Sequence, residues 1–485
     1  MESDKFVVEK YKKLMGYDNR GEVFDADHFV FRKINDDYLD SALDIYFSYK
    51  NNNFEKLGIV NTQLAKEYGQ NFLKHEKHII SYPYEWPVDM FKKAALFQLD
   101  LFIELDKYGF TLKDAIPANI VFNNTKPVFV DFLSILKKDS LIKEEWLFEG
   151  NNKVDGDLRF LVFEKMFFPF YFIPLFLMKR NKIKEFRDML FNRACNALGS
   201  SAPDFKDLLG GNDVREKITN ILDIFTYQFN AYKHRKQGFV SFCKFLKDYV
   251  QNLDMGYSNS DYTSYYVSKK EDFDFLDSSD WKAKQKSVYS VIKFDQPDTV
   301  LDLGANTGWF SELACRNGAS VIATDIDEAS VNFLYKYAKS KKLNILPLVL
   351  SFQDLLKSKQ GIALEELGPS VGNQEKLFME PVKRIKSDLV LSLALVHHLV
   401  LGQGLSIENV FKILSQVTKK ALVLEYVGWD DELIKKESTF FKNLNKFTKE
   451  TYNLNLFIKE GKKQFKSVEL LESHPATRTL LVFRR

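Results

Sequence analysis

The spacing of apolar residues changes half-way along this chain of 485 residues. In the second half, short and nearly continuous apolar runs recur: Thr299–Leu303, Ser320–Thr324, Ile345–Leu350, Asp388–Leu393 and Ala421–Glu425. Gly308–Arg316 and Ala329–Lys339, which lie between them, carry apolar residues at helical spacing. Apolar strands alternating with helices predict a parallel, doubly wound sheet covered on both faces. Ser467–Leu471 and Thr479–Phe483 follow with no helix between them, which predicts an antiparallel hairpin at the sheet edge.

The first half is mixed and predicts an α+β domain. Glu22–Ile34 alternates like strand. Asp40–Tyr49 and Trp86–Tyr108 have helical spacing, the latter through Phe91, Ala95, Leu99, Leu101 and Leu105. Ala118–Ser134 reads as two short strands around an Asn-Asn turn, and Asp157–Leu246 reads as mostly helical. A polar stretch, Asp254–Lys270, separates the halves. The expected division is a first domain over 1–253, a linker or docking segment over 254–285 and a second domain over 286–485.

Composition agrees with two folded domains. The chain is too long for one hydrophobic core, and at 45% hydrophobic and 28% charged it is neither disordered nor membrane-like. A net charge of +3 lacks the basic excess of a dedicated nucleic-acid binder, so nucleic acid is not the expected partner, although Lys233-His234-Arg235-Lys236 is a local basic run. Cys195, Cys243 and Cys315 are scattered, so neither a zinc site nor a disulfide framework is expected, and no metal site is. The charged start and the absence of an apolar leader predict a cytoplasmic protein. Met166–Met178 is apolar but interrupted by Pro169 and Pro174. It is also shorter than the ~20 residues of a membrane span, and reads as buried core.

The richest chemistry lies in Thr299–Asp327, a β-α-β unit with the loop DLGANTG. Gly304 permits a tight turn after the first strand, and Gly308 opens the helix and allows close packing against the strand. Asn306 stands where a third glycine is common, and Asn tolerates positive φ better than other residues that carry a side chain. Asp302 at the strand end suits an ammonium group. Asp325, 23 residues further on, suits ribose hydroxyls. The loop is not GxGxxG, and Asp302 would repel a pyrophosphate, so a ligand with a cationic amino-acid end and a ribose fits better than a dinucleotide.

These motifs, with VIATDID, ILPLVL and DLVLSLALVHHL, resemble class I S-adenosylmethionine-dependent methyltransferases. The resemblance is narrower to a bacterial group that includes the nodulation protein NoeA, and it reaches the first half through ISYPYEW, LKDAIPANIVF and PVFVDFLSI. It implies a Rossmann-like, mostly parallel seven-stranded sheet and S-adenosyl-L-methionine as cofactor. Asp302, Gly304, Ala305, Asn306 and Gly308 would line its methionine end, Asp325 would hold the ribose and Ile326 would pack on the adenine. Ser351, Phe352 and Leu393 complete the implied cofactor set. Ser351 replaces an expected acid, a place that Gln353 or Asp354 would take over. His397 and His398, at the end of the fourth strand, are the candidate general bases. Glu425 is a second candidate, or a residue that orients a histidine. Adjacent residues do not readily share one pocket, so one histidine is expected to be structural.

In the first half, Asp114, Asn119 and Asp131 imitate the spacing of a kinase catalytic loop and its metal-binding aspartate. No glycine-rich phosphate loop precedes them, and Arg32 or Lys33 would have to stand in for the phosphate-binding lysine. The expectation is therefore a methyltransferase acting on a glycan or other small hydroxylated acceptor. The alternatives are a bifunctional kinase-methyltransferase and a non-catalytic scaffold that binds the cofactor. Oligomeric state is open.

Overall fold

The computed structural model describes residues 10–14, 20–26, 28–148, 156–179, 187, 231–233, 238–255, 278–356, 379–436 and 441–485. Most of the polar segment between the halves, the basic run beyond Lys233, and Cys195 lie outside the described residues. The chain divides into two compact units, one drawn chiefly from Met1–Tyr84 and Met90–Gly256. The other is drawn from Glu85–Asp89, Tyr257–Glu366 and Phe378–Arg485.

In the first unit, strands β1 (Lys12–Leu14), β2 (Gly21–Asp25), β3 (Phe29–Ile34), β4 (Thr62–Leu64) and β5 (Phe72–Glu76) form one antiparallel sheet in the order β1-β2-β3-β5-β4. The alternation over Glu22–Ile34 is thus a hairpin, with Phe24 and Phe31 buried on one face against Ala26, Ala65 and Phe72. Helix α1 (Leu39–Asn52) leaves β3, and α2 (Val88–Asp106) matches the expected long helix. Pro87 lies between Trp86 and the start of α2 at Val88, as proline's fixed φ and missing N–H favour. Two small antiparallel pairs follow. One joins β6 (Phe110–Leu112) to β9 (Ile135–Lys137), and the other joins β7 (Ile120–Asn123) to β8 (Lys126–Phe129). The β7–β8 turn places Asn124 at φ +58, the left-handed conformation that asparagine accepts.

Among the described residues, α3 (Arg159–Lys179) is the one helix long and apolar enough to cross a membrane by length and composition. Of its apolar stretch, 67% is buried within the protein. Ring contacts Phe163–Phe167 and Phe167–Tyr171 run along it, and Phe239 and Phe242 of α4 (Gly238–Gln251) pack on Phe163. Its middle, Phe163–Phe172, is wound as a π-helix around Pro169. A proline inside a helix removes one donor and displaces the turn before it.

The second unit is built on a seven-stranded sheet. Its strands are β10 (Thr299–Leu303), β11 (Ser320–Asp325), β12 (Ile345–Val349), β13 (Ser387–Ser392), β14 (Thr418–Val427), β15 (Ser467–Glu472) and β16 (Arg478–Arg484). The order is β12-β11-β10-β13-β14-β16-β15, with β10 to β14 parallel and β16 antiparallel to both neighbours. The closing hairpin is present, but the last strand turns inward beside β14 and leaves β15 at the edge. The burial pattern explains the choice. Leu480–Phe483 is fully buried, whereas β15 is largely exposed and carries Glu469 and Glu472, charges that guard an unpaired edge. At the opposite edge, Pro347 is tolerated in β12 because that strand pairs on one side only.

Helices α5 (Ala283–Asp295) and α6 (Trp309–Arg316) bury Val288, Val291, Ile292, Phe310 and Leu313 against Val300, Leu391, Leu393 and Val423. Helix α7 (Glu328–Lys341) follows β11 and is capped by Asp327, which accepts from Ser330 N–H at 3.0 Å. Helix α8 (Ile407–Val417) precedes β14, with Ser406 in the same capping role. Strand C-terminal ends therefore gather on one side of the sheet, the side where a doubly wound fold binds its ligands.

Candidate functional site

The DLGANTG loop turns between the ends of β10 and β11. Gly304 (φ +73), Asn306 (φ +50) and Gly308 (φ +86) all adopt left-handed backbone. That sequence of turns aims the Asn306 N–H at Asp325, and the chain beyond β11 adds a second donor. The Oδ2 of Asp325 accepts from Asn306 N at 2.8 Å and its Oδ1 from Asp327 N at 2.9 Å. Gly304 and Ala305 N–H both donate to Thr324 O at 2.9 Å, which ties the loop to β11. Gly308 allows a close approach, but not to the strand. A Cβ there would meet the Leu334 side chain at 2.4 Å, so the glycine accommodates α7, the helix of the next crossover.

Asp302 lies inside, 3% exposed, with Oδ2 accepting from the Ser311 hydroxyl of α6 at 2.6 Å. The Ser311 backbone N–H supports the same carboxylate. Burial pushes its carboxyl up to about 6; Ser311 and the Lys284 charge oppose the shift, and the neighbouring Asp325 adds to it. Asp325 is also raised, by burial first, against the backbone donors that hold it. Two carboxylates thus sit close together in a poorly hydrated pocket. Beyond Asp325, Ile326 stands 72% exposed, a large apolar side chain at the rim.

Ser351 and Asp354 form a reciprocal cap at the start of the short helix Phe352–Leu356. Ser351 N and Oγ donate to Asp354 Oδ2 at 2.9 and 2.6 Å, and Asp354 N donates to Ser351 Oγ at 3.2 Å. Gln353 Nε2 reaches Gln403 Oε1 at 3.3 Å. Phe352 and Leu393 are buried.

His397 and His398 follow β13 on a helical turn that brings their rings side by side, with centroids 4.1 Å apart and both near Phe441. The turn carries both rings toward the same aromatic neighbour, with His397 buried and His398 half-buried. His397 is buried, and neither ring nitrogen has a hydrogen-bond partner among the described residues. Burial holds its pKa well below the usual imidazole range, and that of His398 falls to about 4 for the same reason. Both rings are neutral near pH 7.

Glu425 does not orient a histidine. It is fully buried, with Oε2 on Lys284 Nζ at 2.7 Å and Oε1 accepting from the Ser473 hydroxyl at 2.6 Å. A fully buried carboxylate needs a cation, and Lys284 supplies it. Nothing in the sequence marked Lys284, which falls in the segment assigned to a linker. Its place at the start of an amphipathic helix was the available signal.

In the first unit, Asp114, Asn119 and Asp131 are brought together. Asn119 Nδ2 donates to Asp114 O at 3.2 Å, Asp114 N donates to Ser134 Oγ at 3.0 Å, and Asp131 pairs with Arg32 Nη1 at 2.9 Å. Lys33, the alternative cation, lies instead over the Phe72 ring.

Over 373 residues the chain is 26% identical to the nodulation protein NoeA of Rhizobium meliloti (strain 1021), covering 74% of this chain and 70% of that protein. The chain is similar to NoeA over most of its length. Similar solved structures include monomeric WbdD, 19% identical over 42% of each chain with a TM-score of 0.28. Another is the magnesium protoporphyrin IX methyltransferase ChlM of Synechocystis PCC 6803 with bound SAH, 15% identical over 41% of this chain and 81% of that one, with a TM-score of 0.27. The chain thus spans about two fifths of the WbdD chain that it matches. No protein-family model matches it. The likeness to NoeA agrees with the motifs, and the mostly parallel seven-stranded sheet is the one the class I methyltransferase resemblance implied.

Asp302 makes the ligand-free protein sensitive to pH. Its folded pKa, about 6, lies above the ordinary 3.8, so the fold favours the protonated form. That contribution is complete below the ordinary value and is lost as pH rises through 6, leaving a penalty on the order of 3 kcal/mol when the group is ionised. Asp302→Asn is expected to raise the melting temperature of the ligand-free protein by several degrees at pH 8 and to change it little at pH 4. Thermal melts across pH check this, and a difference independent of pH would contradict it.

Proposed function

We propose that the second unit binds S-adenosylmethionine and transfers its methyl group to a hydroxyl of a glycan or other small hydroxylated acceptor. The observation that carries the reading is the pair of carboxylates, buried Asp302 and half-buried Asp325, at the C-terminal ends of neighbouring parallel strands. Two acids repel a pyrophosphate and suit an ammonium group and a ribose diol. The residues fit that ligand. Asp302, fixed by Ser311, offers a carboxylate to the ammonium. Asp325 is oriented by two backbone N–H groups, and a carboxylate offers about four acceptor sites, so it retains capacity for hydroxyls. Ile326 offers an open apolar face to the adenine, with Phe352 and Leu393 as buried walls. Gly304, Ala305, Asn306 and Gly308 bring backbone close to the methionine end, and Ser351 lies near the base as part of its cap with Asp354.

When bound, the cofactor supplies an electrophilic methyl group on a sulfonium. The protein aligns the acceptor and removes its proton. His397 is the first candidate for the second task, because its buried nitrogens lack partners among the described residues, so an acceptor hydroxyl would satisfy one of them. His398, beside it, is the other candidate base. Glu425 acts through Lys284 and does not touch the acceptor.

A second activity is favoured by the cluster in the first unit. What supports it is that Arg32 pairs with Asp131 and that Asn119 is tied to the Asp114 carbonyl, so a cation, an amide and two acids come from the segments whose spacing imitates a kinase loop. WbdD is a bifunctional kinase-methyltransferase.

Three measurements test these readings. Calorimetry is expected to show S-adenosylmethionine binding that weakens at least about tenfold in Asp325→Ala, the loss of a charge-assisted hydrogen bond; absence of binding by the wild type would sink the cofactor reading. Labelled methyl transfer into glycan, lipid, protein and RNA fractions of a bacterial lysate should appear in the first of these. His397→Gln is expected to reduce that transfer by about 10²-fold or more with cofactor affinity unchanged. Transfer by wild type and variant alike would remove His397 from the chemistry, and none by either would favour a non-catalytic scaffold. Phosphate transfer from labelled ATP with magnesium should disappear in Asp131→Ala, and equal signal from that variant would end the kinase reading.

A further inference from the structure

Five residues from the first half of the sequence, Glu85–Asp89, belong to the second unit. Two sets of contacts seat them there. Glu85 pairs with Arg384 of the short helix Pro381–Arg384, which precedes β13; both carboxylate oxygens are engaged, and each side chain is 1% exposed. A buried ion pair holds only in good geometry, and a two-pronged guanidinium–carboxylate pair provides it. Val88 and Asp89 open α2, and the first N–H groups of a helix have no acceptor within it. Helix α7 supplies the acceptors. Val88 N donates to Glu328 Oε1 at 2.9 Å, and Asp89 N donates to Asn332 Oδ1 at 2.9 Å. Asn332, itself buried, donates back through Nδ2 to Asp89 Oδ2 at 2.9 Å, and Lys336 Nζ lies 3.6 Å from the same oxygen. Glu328, Asn332 and Lys336 recur at the spacing of one helix face, so a stripe of α7 is given over to this segment.

The start of α7 is also the end of the ribose loop. Asp327, whose N–H donates to Asp325 Oδ1, lies one residue before Glu328 and caps the same helix. Leu334 of α7 occupies the space beside Gly308. The position of α7 therefore sets where one donor of Asp325 stands and how the Gly308 end of the loop is seated. Apolar packing of Leu334 and Ala338 holds the helix on the sheet, but such packing is non-directional. The hydrogen bonds at Glu328 and Asn332 are directional and fix the rotation and register of the helix. Resting on the cofactor reading above, we propose that Glu85–Asp89 is a strap that holds α7 against the ribose loop, with Asp89 as a positioning residue for Asp325. Asp89 does not touch the cofactor. It acts through Asn332 and α7 on the N–H that orients the ribose acid.

The test compares S-adenosylmethionine with the analogue that lacks both ribose hydroxyls, by calorimetry on the full chain. Wild type is expected to prefer the hydroxyl-bearing ligand by about tenfold or more. Asp89→Ala removes the acceptor of the Asn332 amide. It should weaken S-adenosylmethionine by about threefold to tenfold and leave the affinity for the dideoxy analogue as in wild type, so that the preference shrinks. Asn332→Ala, made from the α7 side, should give the same selective loss. Asp89→Asn, which keeps an oxygen for that amide, should retain the wild-type preference. Alanine variants that weaken both ligands equally, or neither, would make the strap a structural contact only and overturn the proposal. So would a wild type that binds both ligands alike, although the cofactor reading would then survive. A wild type that binds neither overturns the cofactor reading and this inference together.

Discussion

Two carboxylates share one buried corner of the second unit, and most of its local structure answers that constraint. Burial raises the pKa of both, the charge of Asp325 adds to the rise at Asp302, and each must be held by donors if it is to ionise. Asp325 is held by backbone N–H groups, which requires the loop before α6 to bend through left-handed conformations at Gly304, Asn306 and Gly308. Asp302 is held by Ser311, which requires α6 to begin where it does. Close seating of that loop in turn requires that nothing project from Gly308 toward Leu334. The motif is the solution to an electrostatic problem, and its glycines follow from its acids.

The same logic recurs along the ligand end of the sheet. Glu425 is buried with Lys284, and Asp431 is ion-paired with Arg478 at 2.8 Å, which draws its carboxyl down to about 2. Each of these acids is neutralised by a near cation. His397 is the exception: its nitrogens are buried and lack partners among the described residues, and desolvation keeps it neutral. A group left in that condition is expensive to bury unless something else completes it, which is why it stands out against its well-satisfied surroundings.

The parts of this fold that could be read from the chain are those whose cause is local. Strand β10 over Thr299–Leu303 was legible to the residue, because Val300, Leu301 and Leu303 make a short, nearly continuous apolar run of the kind that is buried on both faces, broken by Asp302. The left-handed turn at Asn306 was legible because few side chains tolerate it. What escaped depends on partners distant in sequence. Lys284 and Glu425 are 141 positions apart, and only the sheet brings them together. The partner of Gly308 is a helix, not the strand expected, because the contact is set by how α7 crosses the sheet. The inward turn of β16 depends on which of two apolar strands is the more completely hydrophobic, a comparison that no single segment displays.

The replacement of an expected acid by Ser351 also becomes intelligible. Asp354 accepts from both Ser351 N and Ser351 Oγ, so its carboxylate is engaged in capping the helix after β12, and Gln353 is engaged with Gln403. The charged groups that would grip the cofactor then lie at the amino-acid and ribose end, with Ile326, Phe352 and Leu393 offering the base shape and apolar surface. Such a site gains orientation at the end where the methyl group is carried, and that is where a displacement reaction depends on alignment.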